Sequence, residues 1–193
     1  MEARAAARGP DRRAEILDTA KRLFAERGFH ATSMRDLCAA LSMSPGNLYH
    51  WFPSKQAIIA AFVEADRATT ASRLAALSTA GDLASAAVPQ IIGYVTTATD
   101  AEIRLYLEIY AAALRDPELA PLVRTADAEA RAGLAALLRG AGIAEPEATA
   151  VVVIALVDGL VSRRAIEPGC DLAALAGPVG AALGALLARR ATP

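Results

Sequence analysis

The segment from Ser44 to Trp51, SPGNLYHW, holds the residues of this chain best suited to molecular recognition. Serine followed by proline predicts a helix start, because the hydroxyl caps the helix and proline fits its first turn. Small groups then lie outward beside hydrogen-bonding side chains. Such a helix N-terminus is suited to contact phosphates and base edges in a DNA major groove. The pattern therefore predicts binding rather than catalysis.

The sequence contains no residue pattern typical of a metal site or of covalent catalysis. His30, Cys38, His50 and Cys170 do not have the spacing of a zinc site. The sequence holds no nucleophile elbow, phosphate loop or Cys–His pair outside the segment above. We therefore predict no metal, no cofactor and no enzymatic activity. Two cysteines so far apart also argue against a disulfide framework and indicate a reducing cytoplasm.

The composition predicts an all-α protein. The chain has 193 residues with a net charge of −1, and 48 of them are alanine, which favours helices over strands.

The charge is unevenly distributed. Residues 1–55 carry a net charge of +3 and residues 56–193 a net charge of −4. A basic N-terminal part followed by an acidic part is typical of a DNA-binding module joined to another domain. The uncharged run over residues 172–188 leaves a membrane anchor as a remote alternative to close helix packing.

Capping and stop signals predict about nine helices. The first is expected over residues 11–27 and stops at Gly28; Pro53 ends the third, and Ser54 caps a long fourth helix. The short second and third helices, joined by a few residues and packed on the first, predict a helix-turn-helix. The later helices are expected over residues 82–98 (kinked at Pro89), 101–114, 116–139, 145–166 and 171–190. Inward-facing residues of the short helices are Leu37, Cys38, Leu41, Leu48 and Phe52.

The segment from Ala14 to Val63 resembles the DNA-binding domain of the TetR family of bacterial transcriptional regulators. The family's recognition pattern S-x-G-x-L-Y-x-x-F-x-x-K is matched in order by Ser44, Gly46, Leu48, Tyr49, Phe52 and Lys55. One departure is Ser42, which stands where the family usually has glycine in a left-handed turn. Serine there predicts strain or an altered turn.

The resemblance implies a DNA-binding domain over residues 1–53, with an arm at 1–11, and a regulatory domain over 54–193. It implies that the DNA backbone is held by Ser33, Arg35, Tyr49, His50 and Lys55, and that Pro45, Gly46 and Asn47 approach the base edges. Ser44 is a further candidate DNA contact. Asn47 is the candidate for reading adenine. Alternatives remain for single residues: Tyr49 as core, His50 as a solvated helix end, Arg35 as a surface charge, and the arm as a solvated tail. Trp51 is expected to pack on the long helix and His30 to lie on the surface.

The last two helices are expected to form a homodimer, because one small head makes too few phosphate contacts. By resemblance they form a four-helix bundle across a two-fold axis; the alternative is an ordinary internal core. The residues chosen for this interface are Val153, Val157, Leu160, Val161, Gly177, Gly180 and Gly184.

Polar residues interrupt the apolar middle helices, which predicts a small-molecule cavity. The candidate lining residues are Gln90, Tyr94, Thr97, Arg104, Tyr106, Glu108 and Tyr110, with packing or an Arg104–Glu108 ion pair as alternatives. The sequence thus predicts a repressor released from a palindromic operator by a small, mostly apolar effector. An activator or an effector-independent regulator is the alternative.

Overall fold

The computed structural model describes residues 9–167 and 169–189, and its regular elements over that range are all helical. The predicted all-α fold is therefore confirmed. Within the same range no helix combines the length and the hydropathy needed to cross a membrane. The predicted helix stop at Pro168 and the arm residues 1–8 lie outside the described residues, and the last helix ends at Leu187 rather than near the predicted Arg190.

The N-terminal part, here called the head (residues 9–53), contains three helices. Helix α1 spans Gly9–Arg27, α2 spans Met34–Leu41 and α3 spans Pro45–Trp51. Each short helix begins at a serine cap: Ser33 accepts a hydrogen bond from Asp36 N, and Ser44 accepts one from Asn47 N. These local signals place the two short helices as the sequence predicts.

The rest of the described chain, here called the body (residues 54–189), contains six further α-helices. The long α4 is capped by Ser54, and α6 begins with a capping box between Thr99 and Glu102. Pro89 lies within α5, on its exposed side. The bounds are α4 Lys55–Ser78, α5 Leu83–Thr97, α6 Asp100–Ala113, α7 Leu119–Gly140, α8 Pro146–Ile166 and α9 Ala176–Leu187, with a 3-10 turn at Ala173–Leu175.

Two helix starts differ from the sequence prediction. Before α7, Asp116 Oδ1 accepts hydrogen bonds from the N–H groups of Glu118 (2.9 Å) and Leu119 (3.4 Å). This cap closes a turn first, so the regular helix begins three residues after it. Asp171 Oδ1 likewise accepts from Ala174 N (3.1 Å) but caps the 3-10 turn that precedes α9. The N-caps of α7 and α9 are instead Glu118 and Leu175, so the predicted caps Asp116 and Asp171 stabilise the preceding turns and the helices begin later.

The head and the body share one hydrophobic core. Leu48 of α3, Ile58 of α4 and Phe24 of α1 are fully buried in the same cluster as Leu119 and Val123 of α7. A second cluster joins α5, α6, α8 and α9. The head is therefore seated on the body by side-chain packing across the predicted boundary at residue 53.

Candidate nucleic-acid interface and ligand cavity

The outward face of α2 and α3 gathers most of the residues that the resemblance assigns to DNA. Their side chains are all exposed, and Tyr49 is 49% exposed despite its size. His50 lies at the end of α3, edge to face with the half-buried Trp51. The candidate DNA contacts that stay exposed on or next to α2 and α3 are Ser33, Arg35, Ser44, Pro45, Gly46, Asn47, Tyr49 and His50.

The inward face of the two short helices packs into the hydrophobic core. Leu37, Leu41, Leu48, Phe52 and Cys38 are all buried, as the spacing predicts. The turn between the helices places Ser42 at φ 50° and ψ 41°, in the left-handed region. Its N–H donates to the carbonyls of Cys38 and Ala39, so the turn forms without glycine.

Lys55 is placed differently from the other candidate DNA contacts. Its Nζ donates to the carbonyl oxygens of Phe29 (2.7 Å) and Thr32 (2.6 Å) and lies 4.5 Å from the centroid of the Phe29 ring. Desolvation lowers the pKa of this amine, although Asp36 acts in the opposite direction. Its ammonium donors are therefore used to hold the α1–α2 loop.

Gly46 has no packing reason to be glycine. A Cβ built on it meets nothing within 4 Å, and its φ is not in the left-handed region. Gly28 differs, because its φ of +86° ends α1 in a conformation that favours glycine. The small size of residue 46 is thus unexplained by contacts inside the described chain.

The body forms a cavity of about 380 Å³, open to solvent on one side, between α4 and the helices that follow it. A second chamber of about 390 Å³ adjoins it, and the two share Asp66, Arg73, Tyr94, Tyr106 and Tyr110 as lining residues. The first of these chambers is mostly apolar, with a few polar groups, as a small-molecule site requires. Its apolar wall includes Leu74, Leu77, Ile91, Leu134, Ile154, Val157 and Leu183.

Four of the seven residues predicted for a pocket line this cavity: Gln90, Tyr94, Tyr106 and Tyr110. Tyr106 donates through its hydroxyl to Asp158 Oδ1 at 2.7 Å, and the ring centroids of Tyr106 and Tyr110 lie 4.7 Å apart. Burial is the main cause that raises the pKa of Tyr94, Tyr106 and Tyr110 above its ordinary value. The three phenols therefore remain neutral at physiological pH.

The other three predicted pocket residues have different positions. Thr97 is exposed, lines the second chamber and donates to Gly93 O at 2.6 Å. Arg104 is exposed and faces a separate groove near Cys170. The carboxylate of Glu108 accepts a hydrogen bond from Phe29 N at 3.0 Å, so it joins α6 to the head. None of these three side chains lines the first chamber.

The sequence interpretation missed the charged lining of the cavity. Asp66, Arg67 and Arg73 come from α4, and Asp158 comes from α8. Asp158 had a recognisable signal, since it is a single carboxylate within an otherwise apolar stretch of α8. Desolvation raises the pKa of Asp66, and this effect exceeds the opposing effect of Arg73. The α4 residues had no local signal, because they occupy an ordinary polar helix face.

The residues predicted for a dimer interface need correction. Val153, Leu160 and Val161 are buried inside the chain's own second core cluster, and Val157 lines the cavity. Gly180 faces Val88 of α5, whose Cγ2 lies 3.6 Å from a Cβ built on that glycine. Of the other two predicted residues, Gly177 is exposed and Gly184 is half-buried. The apolar surface that stays exposed on the last two helices consists of Ala148, Val151, Val152, Ala155, Gly159, Ile166, Gly177, Ala181, Ala182 and Ala185.

Comparison with known proteins agrees with this architecture. The family model for "Bacterial regulatory proteins, tetR family" matches residues 16–62, and the model for "BetI-type transcriptional repressor, C-terminal" matches residues 83–188. The HTH-type transcriptional regulator UidR of Escherichia coli K12 is 32% identical over 112 residues. That match covers 58% of this chain and 57% of UidR, so it spans less than two thirds of that relative.

Two further matches concern the head alone and the whole fold. The HTH-type transcriptional repressor KstR2 of Rhodococcus jostii is 50% identical over 48 residues, which is 25% of this chain and 24% of KstR2. The solved structure of Salmonella enterica GusR superposes with a TM-score of 0.84 at 30% identity, covering 94% of this chain and 98% of GusR. The similarity is thus strongest in sequence at the head and extends in structure over nearly all of the chain.

Proposed function

This chain belongs to the TetR family of bacterial regulatory proteins, and on that basis we propose that it is a ligand-responsive repressor that binds a palindromic operator as a homodimer. The family consists of transcriptional regulators rather than enzymes. KstR2 and the model matching residues 83–188 are both described as repressors, which supports the same role here. Because the operator is chromosomal, the proposed location is the cytoplasm.

The observation that carries the proposal is the outward face of α2 and α3. Its side chains are exposed, and no contact within the described chain requires glycine at position 46. Close approach of a DNA backbone or base edge supplies a reason, because any Cβ would lie between helix and groove. We assign Pro45, Gly46 and Asn47 to the bases, and Ser33, Arg35, Tyr49 and His50 to the phosphates.

Ser44 and Lys55 act in this proposal as positioning residues. Ser44 caps α3, and Lys55 fixes the loop that leads to Ser33. A direct phosphate contact by Lys55 would require its Nζ to give up carbonyl hydrogen bonds. The structure therefore favours the indirect role for this lysine.

Dimer formation is proposed through the exposed apolar faces of α8 and α9 defined above. Val151 and Val152 are each 48% exposed and Ile166 is 74% exposed, so burying them against a second copy is favourable. A dimer places two α3 helices on half-sites about one helical turn of DNA apart. The operator is then expected to be palindromic.

Effector response is proposed to begin in the mostly apolar cavity that Tyr106 and Asp158 line. Its lining spans several body helices, including α6, which also contacts the head through Glu108. A ligand that binds better to one arrangement of α6 than to another shifts the population between DNA-competent and incompetent dimers.

The test is binding to DNA that flanks the gene, measured by fluorescence anisotropy and footprinting, then repeated with small molecules. We expect protection of a palindrome, and release by at least one ligand class. Gly46→Ala should weaken operator binding about tenfold or more and leave the free energy of unfolding unchanged or slightly increased. The matched control is Gly93→Ala, a helical glycine in α5 whose added Cβ also meets nothing within 4 Å.

Absence of any protected site in the flanking DNA would overturn the regulator proposal. Equal operator affinity of Gly46→Ala and Gly93→Ala would overturn the assignment of α3 as the DNA-reading helix. A complex that persists with every ligand class would favour an effector-independent regulator.

A further inference from the structure

The positive and negative side chains that line the proposed effector cavity are unequal in number. Glu129 is neutralised by Arg67, whose Nε donates to Glu129 Oε2 at 2.7 Å. Asp127 is paired with Arg131 at 3.1 Å. Two lining carboxylates, Asp66 and Asp158, have no ion pair within the part of the chain that the structure describes.

One lining cation, Arg73, remains to offset those two carboxylates. Its guanidinium lies over the Tyr94 ring, with Cζ 4.3 Å from the centroid, and forms no ion pair within the described ranges. It acts favourably on Asp66, but desolvation outweighs it and raises the pKa of that carboxyl. Glu129 and Asp127 are already paired, so two carboxylates and one guanidinium remain. The cavity therefore has one more negative charge than positive charge.

The polar groups beside the carboxylates are suited to a cation. Tyr106 and Tyr110 present neutral rings 4.7 Å apart, and the Tyr106 hydroxyl is already donated to Asp158. Aromatic faces attract ammonium groups, more strongly where water is excluded. Gln90 independently indicates a missing hydrogen-bond donor in the cavity. Its buried Oε1 is an acceptor that receives no hydrogen bond from the described residues.

We propose that the effector is an organic monocation with an apolar body, its ammonium head held by Asp66, Asp158 and the rings of Tyr106 and Tyr110. The apolar body lies along the leucine- and isoleucine-rich wall formed by α4, α5 and α7. A primary ammonium also supplies the N–H that Gln90 Oε1 lacks. An anion would add to the excess negative charge, and a neutral ligand would leave it uncompensated. This inference rests on the proposed effector site and names the ligand class it takes.

The test uses three eight-carbon probes that differ in their head groups: octylammonium, 1-octanol and octanoate. Binding to the full-length protein without DNA is measured by titration calorimetry, so the result does not depend on operator binding. We expect octylammonium to bind at least about tenfold more tightly than 1-octanol, and octanoate to bind most weakly.

Two variants locate the head group. Asp66→Asn and Asp158→Asn should each lower the affinity for octylammonium about tenfold and leave that for 1-octanol within about twofold. Asparagine at position 158 keeps an acceptor for the Tyr106 hydroxyl, which limits structural disturbance. The matched control is Asp127→Asn, a lining acid that already has Arg131 as its partner, and its effect on octylammonium should be smaller.

Equal or tighter binding of 1-octanol or octanoate would overturn the cation assignment, and so would a failure of all three probes to bind at millimolar concentration. In either case footprinting without ligand still reports on DNA binding separately. An anion that binds and releases the operator would contradict this inference and support the proposed function.

Discussion

The head and the body of this protein bury their side chains in different ways. In the head, Phe24, Phe29, Leu37 and Leu48 are almost completely buried in a closed core. In the body, α4 to α8 enclose two chambers, and carboxylates and tyrosines line the space between them. The head thus fills its interior with apolar side chains, whereas the body leaves space between its helices. The difference predicts which region loses more stability when a buried side chain is shortened.

The largest contrast is expected from removing one leucine in each region. Leu48→Ala should lower the free energy of unfolding by about 2–5 kcal/mol, because it opens a void in a closed core. Leu74→Ala should cost about 1 kcal/mol, because that side chain already borders the cavity and loses fewer contacts. Urea unfolding of both variants measures the difference, and equal losses would show that the body is packed as tightly as the head.

The next largest difference in stability is expected from replacing one lysine in the body, Lys55, and one in the head, Lys21. Lys55→Met keeps the apolar stem but leaves the carbonyls of Phe29 and Thr32 without their donor, at a cost of about 1–3 kcal/mol. Lys21→Met removes a 3.3 Å ion pair with Glu102 at the surface, which should cost about 0–1 kcal/mol. Thermal unfolding and operator affinity are measured together. Unchanged stability in Lys55→Met, with operator binding lost, would instead indicate a direct phosphate contact.

A smaller effect is expected where non-glycine residues adopt left-handed backbone. Ser42 in the head and Glu145 in the body both have φ of 50°. Ser42→Gly should stabilise the protein by about 1 kcal/mol, because glycine adopts this region without steric cost. Glu145→Gly should gain less, since it loses a 3.4 Å ion pair with Arg189. A loss of stability in Ser42→Gly, measured by urea unfolding, would contradict the expected strain in the turn.

The smallest effect concerns one carboxylate in each region and its dependence on pH. Hydrogen bonds from the Ser33 hydroxyl and then its backbone N–H lower the pKa of Asp36, so its contribution to stability is present at neutral pH and disappears as the pH falls through the folded-state value. Desolvation raises the pKa of Asp66, so its contribution is present at low pH and is lost as the pH rises through the folded-state value.

The two asparagine variants therefore have opposite signs at neutral pH. Asp36→Asn should be less stable than the parent protein and Asp66→Asn more stable. Both differences should vanish in strong acid, where the parent carboxyls are protonated as well. Urea unfolding at several pH values tests this, and differences of the same sign would contradict the comparison.

The sequence predicted the head well because its signals are local. Serine caps, a proline at the first helical position and the inward spacing of Leu37 to Phe52 act within one or two turns, and the structure follows them. At Ser42 the sequence predicted either strain or an altered turn, and the structure keeps the left-handed conformation that is unfavourable for serine.

The body was predicted less well because its site forms from helices distant in sequence. Periodicity indicated which residues of α6 share a face, but not that Glu108 faces the head while Tyr106 and Tyr110 face the cavity. It likewise could not separate the apolar face of α8 that packs inside the chain from the face that stays exposed. The isolated carboxylate of Asp158 was the one local clue to the charged lining, because a lone acid in an apolar helix needs a partner.

The peptide of Phe29 has a consequence beyond holding a loop. Its N–H is bound by Glu108 of α6, and its carbonyl is bound by Lys55 at the start of α4. Tyr106 and Tyr110 lie two residues before and after Glu108, so the same short stretch of α6 contacts both the cavity and the head. Where such coupling operates it is reciprocal: if an effector weakens operator affinity by some factor, operator DNA must weaken effector affinity by the same factor. A cell with many operator copies would then need more effector to respond.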